Sequence, residues 1–211
     1  MTQKIIYLFI ILFAFGFCSC NNATNDTKPD ADKSATSKTK ADDIYQGKKI
    51  FDIKSAKISF NYTGGPETGA ETLYFDDYGN TVVLVEDKKT QFGPKRITWI
   101  WKDNQLTIVN HETKKVDKSP MRPKATEPPG IADMDDNGKK RVGYEKMADE
   151  TIAGKNCAVW FNAKYNIKYW LWNKLDLKTA NQGAYVKEAT SVEEITAIPT
   201  SLMEVQEDYK K

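Results

Sequence analysis

From Ile44 onward the chain alternates between apolar and polar positions. Ala56, Ile58, Phe60 and Tyr62 are separated by Lys57, Ser59 and Asn61. That period of two predicts a half-buried strand, and Gly64-Gly65-Pro66 ends it. Further strands are expected over 70–75, 81–86, 95–102, 105–110, 157–161, 168–172, 175–179 and 184–191. Asp76-Asp77-Tyr78-Gly79-Asn80 reads as a turn, because Asp and Asn tolerate left-handed backbone and Gly adopts it freely. Asp103-Asn104 suits a two-residue hairpin. Four prolines between Ser119 and Gly130 predict a loop, and 131–147 is the one plausible helix, weakened by Gly138 and Gly143. An edge segment is expected near 202–205. Short turns between successive strands imply an antiparallel meander. One this long must curl, close or split to hide its apolar face.

The N-terminus follows another pattern. A basic start ends at Lys4, an apolar run covers Ile5 to Phe17, and Phe17-Cys18-Ser19-Cys20 follows. That order is a signal peptide's. The run is shorter than the roughly 20 residues of a membrane-spanning helix, and Asn21-Asn22 stop it. The last four residues resemble a bacterial lipobox, with Cys20 as the acylated first residue of the mature protein. Cys18 is the weaker acceptor, because bulky Phe17 precedes it. Residues 21–43 hold no large apolar side chain and cannot bury enough surface to offset ordering entropy. The expected organisation is a signal peptide over 1–19, an acylated Cys20 and tether over 20–43, and one β-rich domain over 44–211.

Charge narrows the function classes. The chain has 31 Lys+Arg and 29 Asp+Glu, and the signal peptide removes only Lys4. A near-neutral mature chain gives no basic excess for nucleic acid. With Cys20 taken up by lipid, Cys157 has no partner, so no disulfide is expected despite an envelope location. The core must supply the stability.

Candidate chemistry is sparse. Cys157 alternates with Val159 and Phe161, which reads as a buried small hydrophobe rather than a thiol activated by Lys155. Asp133, Asp135, Asn137 and Gly138 match half a calcium loop, but its twelfth position is Tyr144, not Glu. An acidic helix N-terminus is the plainer reading. His111 is the only histidine and sits by a turn. No catalytic, metal or cofactor constellation emerges, and a non-enzymatic protein is expected. The aromatic set carries the functional weight: Trp99 with Trp101, and Trp170 with Trp172, each share a strand face. In a filled sandwich they are core; in an open half-barrel they line an apolar ligand site.

Several phrases resemble an uncharacterised family of Bacteroidota lipoproteins: 73–79 (LYFDDYG), 143–146 (GYEK), 150–157 (ETIAGKNC), 170–172 (WLW) with 175–178 (LDLK), and 188–190 (EAT). Their layout is similar to the outer-membrane lipoprotein carrier (LolA-like) superfamily. That resemblance implies a curled antiparallel half-barrel, helices lidding an apolar concavity, and an acyl chain or lipid as ligand. The single helical segment and the acylated Cys20 depart from a soluble carrier, so a membrane-anchored relative is expected. Its alternative is a protein–protein interaction module with a filled core. Asn21 to Asn25 precede the first acid, Asp26, unlike surface-export signals of that phylum. The resemblance then implies an outer-membrane anchor facing the periplasm.

Overall fold

The computed structural model describes residues 49–120 and 130–209. The signal peptide, Cys20, the tether and most of the proline-rich loop lie outside the described residues. Twelve strands form a mainly antiparallel sheet: β1 (Ala56–Thr63), β2 (Glu67–Asp76), β3 (Thr81–Thr90), β4 (Gly93–Lys102), β5 (Gln105–Asn110), β6 (Lys115–Pro120), β7 (Glu145–Lys146), β8 (Glu150–Ile152), β9 (Lys155–Asn162), β10 (Ile167–Trp172), β11 (Leu175–Asn181) and β12 (Tyr185–Glu194). Their order is β6-β5-β4-β3-β2-β1-β12-β11-β10-β9-β7, with β8 also paired to β9. The sheet does not close, since β6 and β7 are its two ends. The expected antiparallel meander is present and unclosed, with two short helices where one helical segment was expected.

The period of two holds because each strand buries one side. Ala56, Ile58 and Phe60 pack in a main core with Phe75, Cys157, Val159, Trp170, Leu175 and Leu177. The β8–β12 wing curls to build that core. β8 comes within 8 Å of β12, whereas four strand spacings of a flat sheet would hold them ~19 Å apart. Residues 50–54 cross one end of the sheet. Ile50 N and Phe51 N donate to Tyr78 O, and Asp52 N donates to Asn173 O, joining the β2–β3 turn to the β10–β11 turn. Phe51 meets Phe75 with ring centroids 4.5 Å apart and planes tilted by 51°. It also fills the space where a side chain at Gly79 (φ +91°) would lie, 2.7 Å away.

A second, smaller core lies on the other face. Val83, Ile100 and Ile198 are buried together, flanked by Leu202 and Met203. The C-terminal segment corrects one expectation. Where an edge segment was expected near 202–205, Thr200–Met203 form a short helix, α2, because Leu202 and Met203 need the apolar outside of β3 and β4. The expected helix over 131–147 is also shorter. A helical turn at Ile131–Asp133 leads to α1 (Asp136–Arg141), and the chain returns to strand at β7. Gly143 (φ +87°) breaks it, a conformation open to glycine. Asp135 caps α1 by accepting from Gly138 N at 2.6 Å. The acidic group is thus a helix N-terminus, and the described residues hold no cluster suited to a metal ion.

Candidate functional site

Strand registers place one set of side chains on a common face. Leu84 pairs with Trp99, and Trp99 with Ile108; Val82 pairs with Trp101, and Trp101 with Leu106; Ile97 lies one pair further along. Leu84, Ile97, Trp99, Trp101, Leu106 and Ile108 therefore form one apolar strip across β3–β5. All six are only partly buried, and none belongs to either core. Trp99 and Trp101 stack at 6.0 Å with planes 11° apart. Neither helix is placed to cover them: α2 packs behind the sheet on Val83 and Ile100, and Lys139 of α1 packs over Trp160 on β9.

Charge takes over along the same face. Lys88, only 5% exposed, meets Glu71 at 2.5 Å and Glu86 at 3.1 Å. Lys187 meets Glu71 at 2.7 Å, and Lys95 bridges Glu67 and Glu86 at 3.4 Å each. Three lysines thus answer three glutamates across β2, β3, β4 and β12. Burial disfavours the Glu71 carboxylate, but Lys187 and Lys88 more than offset it and hold its pKa below the usual value. Burial likewise opposes charge on Lys88, yet Glu71 and Glu86 keep its pKa raised. The network is self-neutralised and needs no ligand charge. It ties to the strip through Trp99 Nε1, which donates to Glu86 Oε2 at 3.1 Å. Aromatic rings stack on it: Tyr62 lies under Lys88 at 4.3 Å and against Tyr185 at 5.4 Å.

The 131–147 segment covers a different part of this face. Lys139 Nζ sits 5.1 Å over Trp160, Asn162 Nδ2 donates to Val142 O at 3.2 Å, and Tyr144 meets Tyr169 edge-on at 6.0 Å. Trp160 pairs with Tyr169, Tyr169 with Thr179, Thr179 with Lys187, and Lys187 with Tyr62. That row runs on to Lys88, so α1 caps the β9–β10 side of the face and leaves β3–β5 open.

The four candidate tryptophans part company. Trp170 is 4% exposed within the main core. Its Nε1 donates to Glu150 Oε2 at 2.8 Å, and Lys168 and Lys178 lie over its ring at 4.7 and 4.8 Å. Trp172 packs against the same core under Lys155. Trp99 and Trp101 are partly buried like Trp172 but lie outside both cores. The remaining candidates behave as structural groups. Cys157 is fully buried, and burial pushes its thiol pKa up, against the depressed value that reactivity needs. His111 bridges Thr98 Oγ1 (2.9 Å) and Tyr209 Oη (3.4 Å), pinning the C-terminal segment. A half-open cavity of about 320 Å³ lies behind the sheet between Ile100, Thr107, Lys118 and Met203.

Sequence reasoning missed two polar features. One is the inward Glu71–Glu86–Lys88 network, whose signal was present: Val82, Leu84, Glu86 and Lys88 keep one parity, so β3 had to carry charge onto the apolar side. The other is Asp176. Its Oδ2 accepts a bond from Thr179 Oγ1, while Oδ1 finds no partner among the described residues. Burial pushes its carboxyl up to about 6, opposed by the Thr179 bond and by Lys187.

No protein family matches the sequence, and no curated protein does. Among solved structures, the chain is similar to one in the Pseudomonas aeruginosa MucA/MucB complex, at 12% identity and a TM-score of 0.46 over 80% of this chain and 61% of that one. A structure of MucB in complex with MucA(peri) gives 10% identity and 0.45, covering 80% and 60%. An uncharacterised conserved protein from Thermus thermophilus gives 6% and 0.49, covering 80% and 92%. This chain spans about three fifths of the MucA/MucB-complex chains it matches.

Proposed function

We propose that this chain is a non-enzymatic lipoprotein of the bacterial envelope, anchored through Cys20 to the periplasmic side of the outer membrane, that binds a hydrophobic guest on the β3–β5 strip. The observation that carries the reading is six apolar side chains, two of them stacked tryptophans, left half-open outside both cores. Covering such a strip is favourable at roughly 25 cal/mol per Å² of apolar area. An acyl chain or lipid suits it, since the strip offers ring faces and branched side chains with one polar link, Trp99 to Glu86. The lipoprotein-carrier resemblance supports the same guest. The openness of the strip favours a second reading, in which the guest is an apolar segment of a protein partner.

Native mass spectrometry of residues 44–211, purified without detergent and followed by lipid extraction, separates the two. A co-purifying fatty acid or phospholipid that Trp101→Asp removes from a still-folded domain supports the lipid guest. An apo mass that takes up no added lipid sinks it and leaves the protein partner, to be sought by cross-linking in the envelope. The anchor is read independently, from the mass of the N-terminal peptide with and without Cys20→Ala.

A further inference from the structure

Five turns open toward one end of the sheet. Thr63 pairs with Val186, Glu67 with Thr90, Ile97 with Asn110, and Ile167 with both Asn162 and Asn181. These registers set the tips at 64–66, 91–92, 111–114, 163–166 and 182–184 on a common rim. Two tips carry a large side chain in solvent: Phe92 is 91% exposed and Tyr165 59%. The β3–β4 tip is a built one. Thr90 Oγ1 donates to Gly93 O and accepts from Phe92 N, each at 3.0 Å, which fixes the turn with its ring outward. Lys89 and Lys115 are exposed beside the tips, and Lys164 lies 5.3 Å over the Tyr165 ring. None of the three has an ion pair among the described residues, whereas the acids Glu67, Glu112 and Asp208 at the same rim are paired.

We propose that this rim docks against an anionic bilayer, with Phe92 and Tyr165 entering the interface and Lys89, Lys115 and Lys164 facing the headgroups. The arrangement favours a lipid surface over a protein. The two rings stand on separate tips, on either side of the β1–β12 centre of the sheet, with lysine beside each. A protein partner needs contiguous buried area; a fluid plane accepts isolated aromatic points and gains from cations. Burying one exposed Phe is worth roughly ten- to a hundredfold in partition, and each lysine near an anionic surface about fivefold. The anchor permits the geometry. Lys49 stands 29 positions after Cys20, a contour of up to ~100 Å, against ~33 Å for a ten-residue strand. The docking is separate from guest binding on the strip and does not require it.

Hydroxyl-radical footprinting of the full chain tests it, on vesicles of phosphatidylethanolamine and phosphatidylglycerol and in detergent. Oxidation of Phe92 and Tyr165 is expected to fall severalfold on the vesicles, with Tyr78 at the opposite end unchanged. Lys89→Gln/Lys115→Gln/Lys164→Gln, or 1 M salt, is expected to restore much of it. Equal oxidation of both rings in the two media, or equal protection of Tyr78, overturns the proposal. Because the mass of the N-terminal peptide reports Cys20 acylation in the same digest, failure of the anchor is told apart from failure of the rim.

Discussion

Strands β4 and β10 each carry a tryptophan pair two residues apart, and the molecule treats them in opposite ways. On β10 the wing curls until β8 reaches β12, Glu150 binds the Trp170 indole, and lysines close over both rings. On β4, Trp99 and Trp101 lie outside both cores, and among the described residues they stack on each other and Trp99 bonds Glu86. The strand pattern is the same, so the difference comes from what the surrounding strands lay on top. A tryptophan on a strand becomes core or stays partly exposed according to its cover, not its spacing.

The sharpest way to break this contrast is to remove one ring from each pair. Trp170→Ala is expected to cost about 3–5 kcal/mol, the usual loss for a buried large aromatic, and Trp101→Ala, partly exposed and outside both cores, about 2 kcal/mol. Urea unfolding followed by far-ultraviolet circular dichroism measures both, and equal losses would end the distinction between the wings.

The charged boundary of the strip gives the next effect. Lys88→Met removes the most buried cation of the network, leaving Glu71 only Lys187 and Glu86 only Lys95, and is expected to cost about 3 kcal/mol. Lys95→Met, at a more exposed pair, should cost under about 1 kcal/mol. Thermal melts of the two variants sharpen the picture of a rigid charged border beside a partly exposed apolar strip; similar melting temperatures would contradict it.

The smallest effect tests the closed wing. Asp176 keeps its proton in the folded state up to about pH 6, against 3.8 ordinarily. Stability from this group is full below the unfolded value and is lost as pH rises through the folded one. Asp176→Asn should therefore gain about 1–2 kcal/mol at neutral pH and almost nothing near pH 3.5. Melting temperature against pH for both proteins reads this, and a pH-independent difference would assign the effect to packing instead.

Much of the closed wing was legible in the residues. Alternation marked β9–β12 and placed Cys157 with Val159 on a buried side; in the other wing, turn residue types read Asp103-Asn104 as a hairpin turn, which takes φ of 51° and 57°. Local pattern carries such features because they are fixed between neighbours. What it left out are encounters across the chain: Phe51 against Phe75, α2 behind β3 and β4, and α1 over Trp160 rather than over Trp99. The candidate site was half legible for that reason. Trp99 and Trp101 stood out as aromatic, but that neither described helix packs over them is a tertiary fact.

The first strand and the last are neighbours at the centre of the sheet, and Ser55 bonds Ile195 across 140 positions. A chain that emerges N-terminus first can zip β2 to β6 by short hairpins. β1 must wait, with one edge and the Ile58–Phe60 side uncovered, until β12 arrives. Closing so long a loop is the slow, entropy-limited step of such a topology. The seam that joins the wings is therefore the last part made, and the unfinished chain is most exposed to stray pairing just before its final strand emerges.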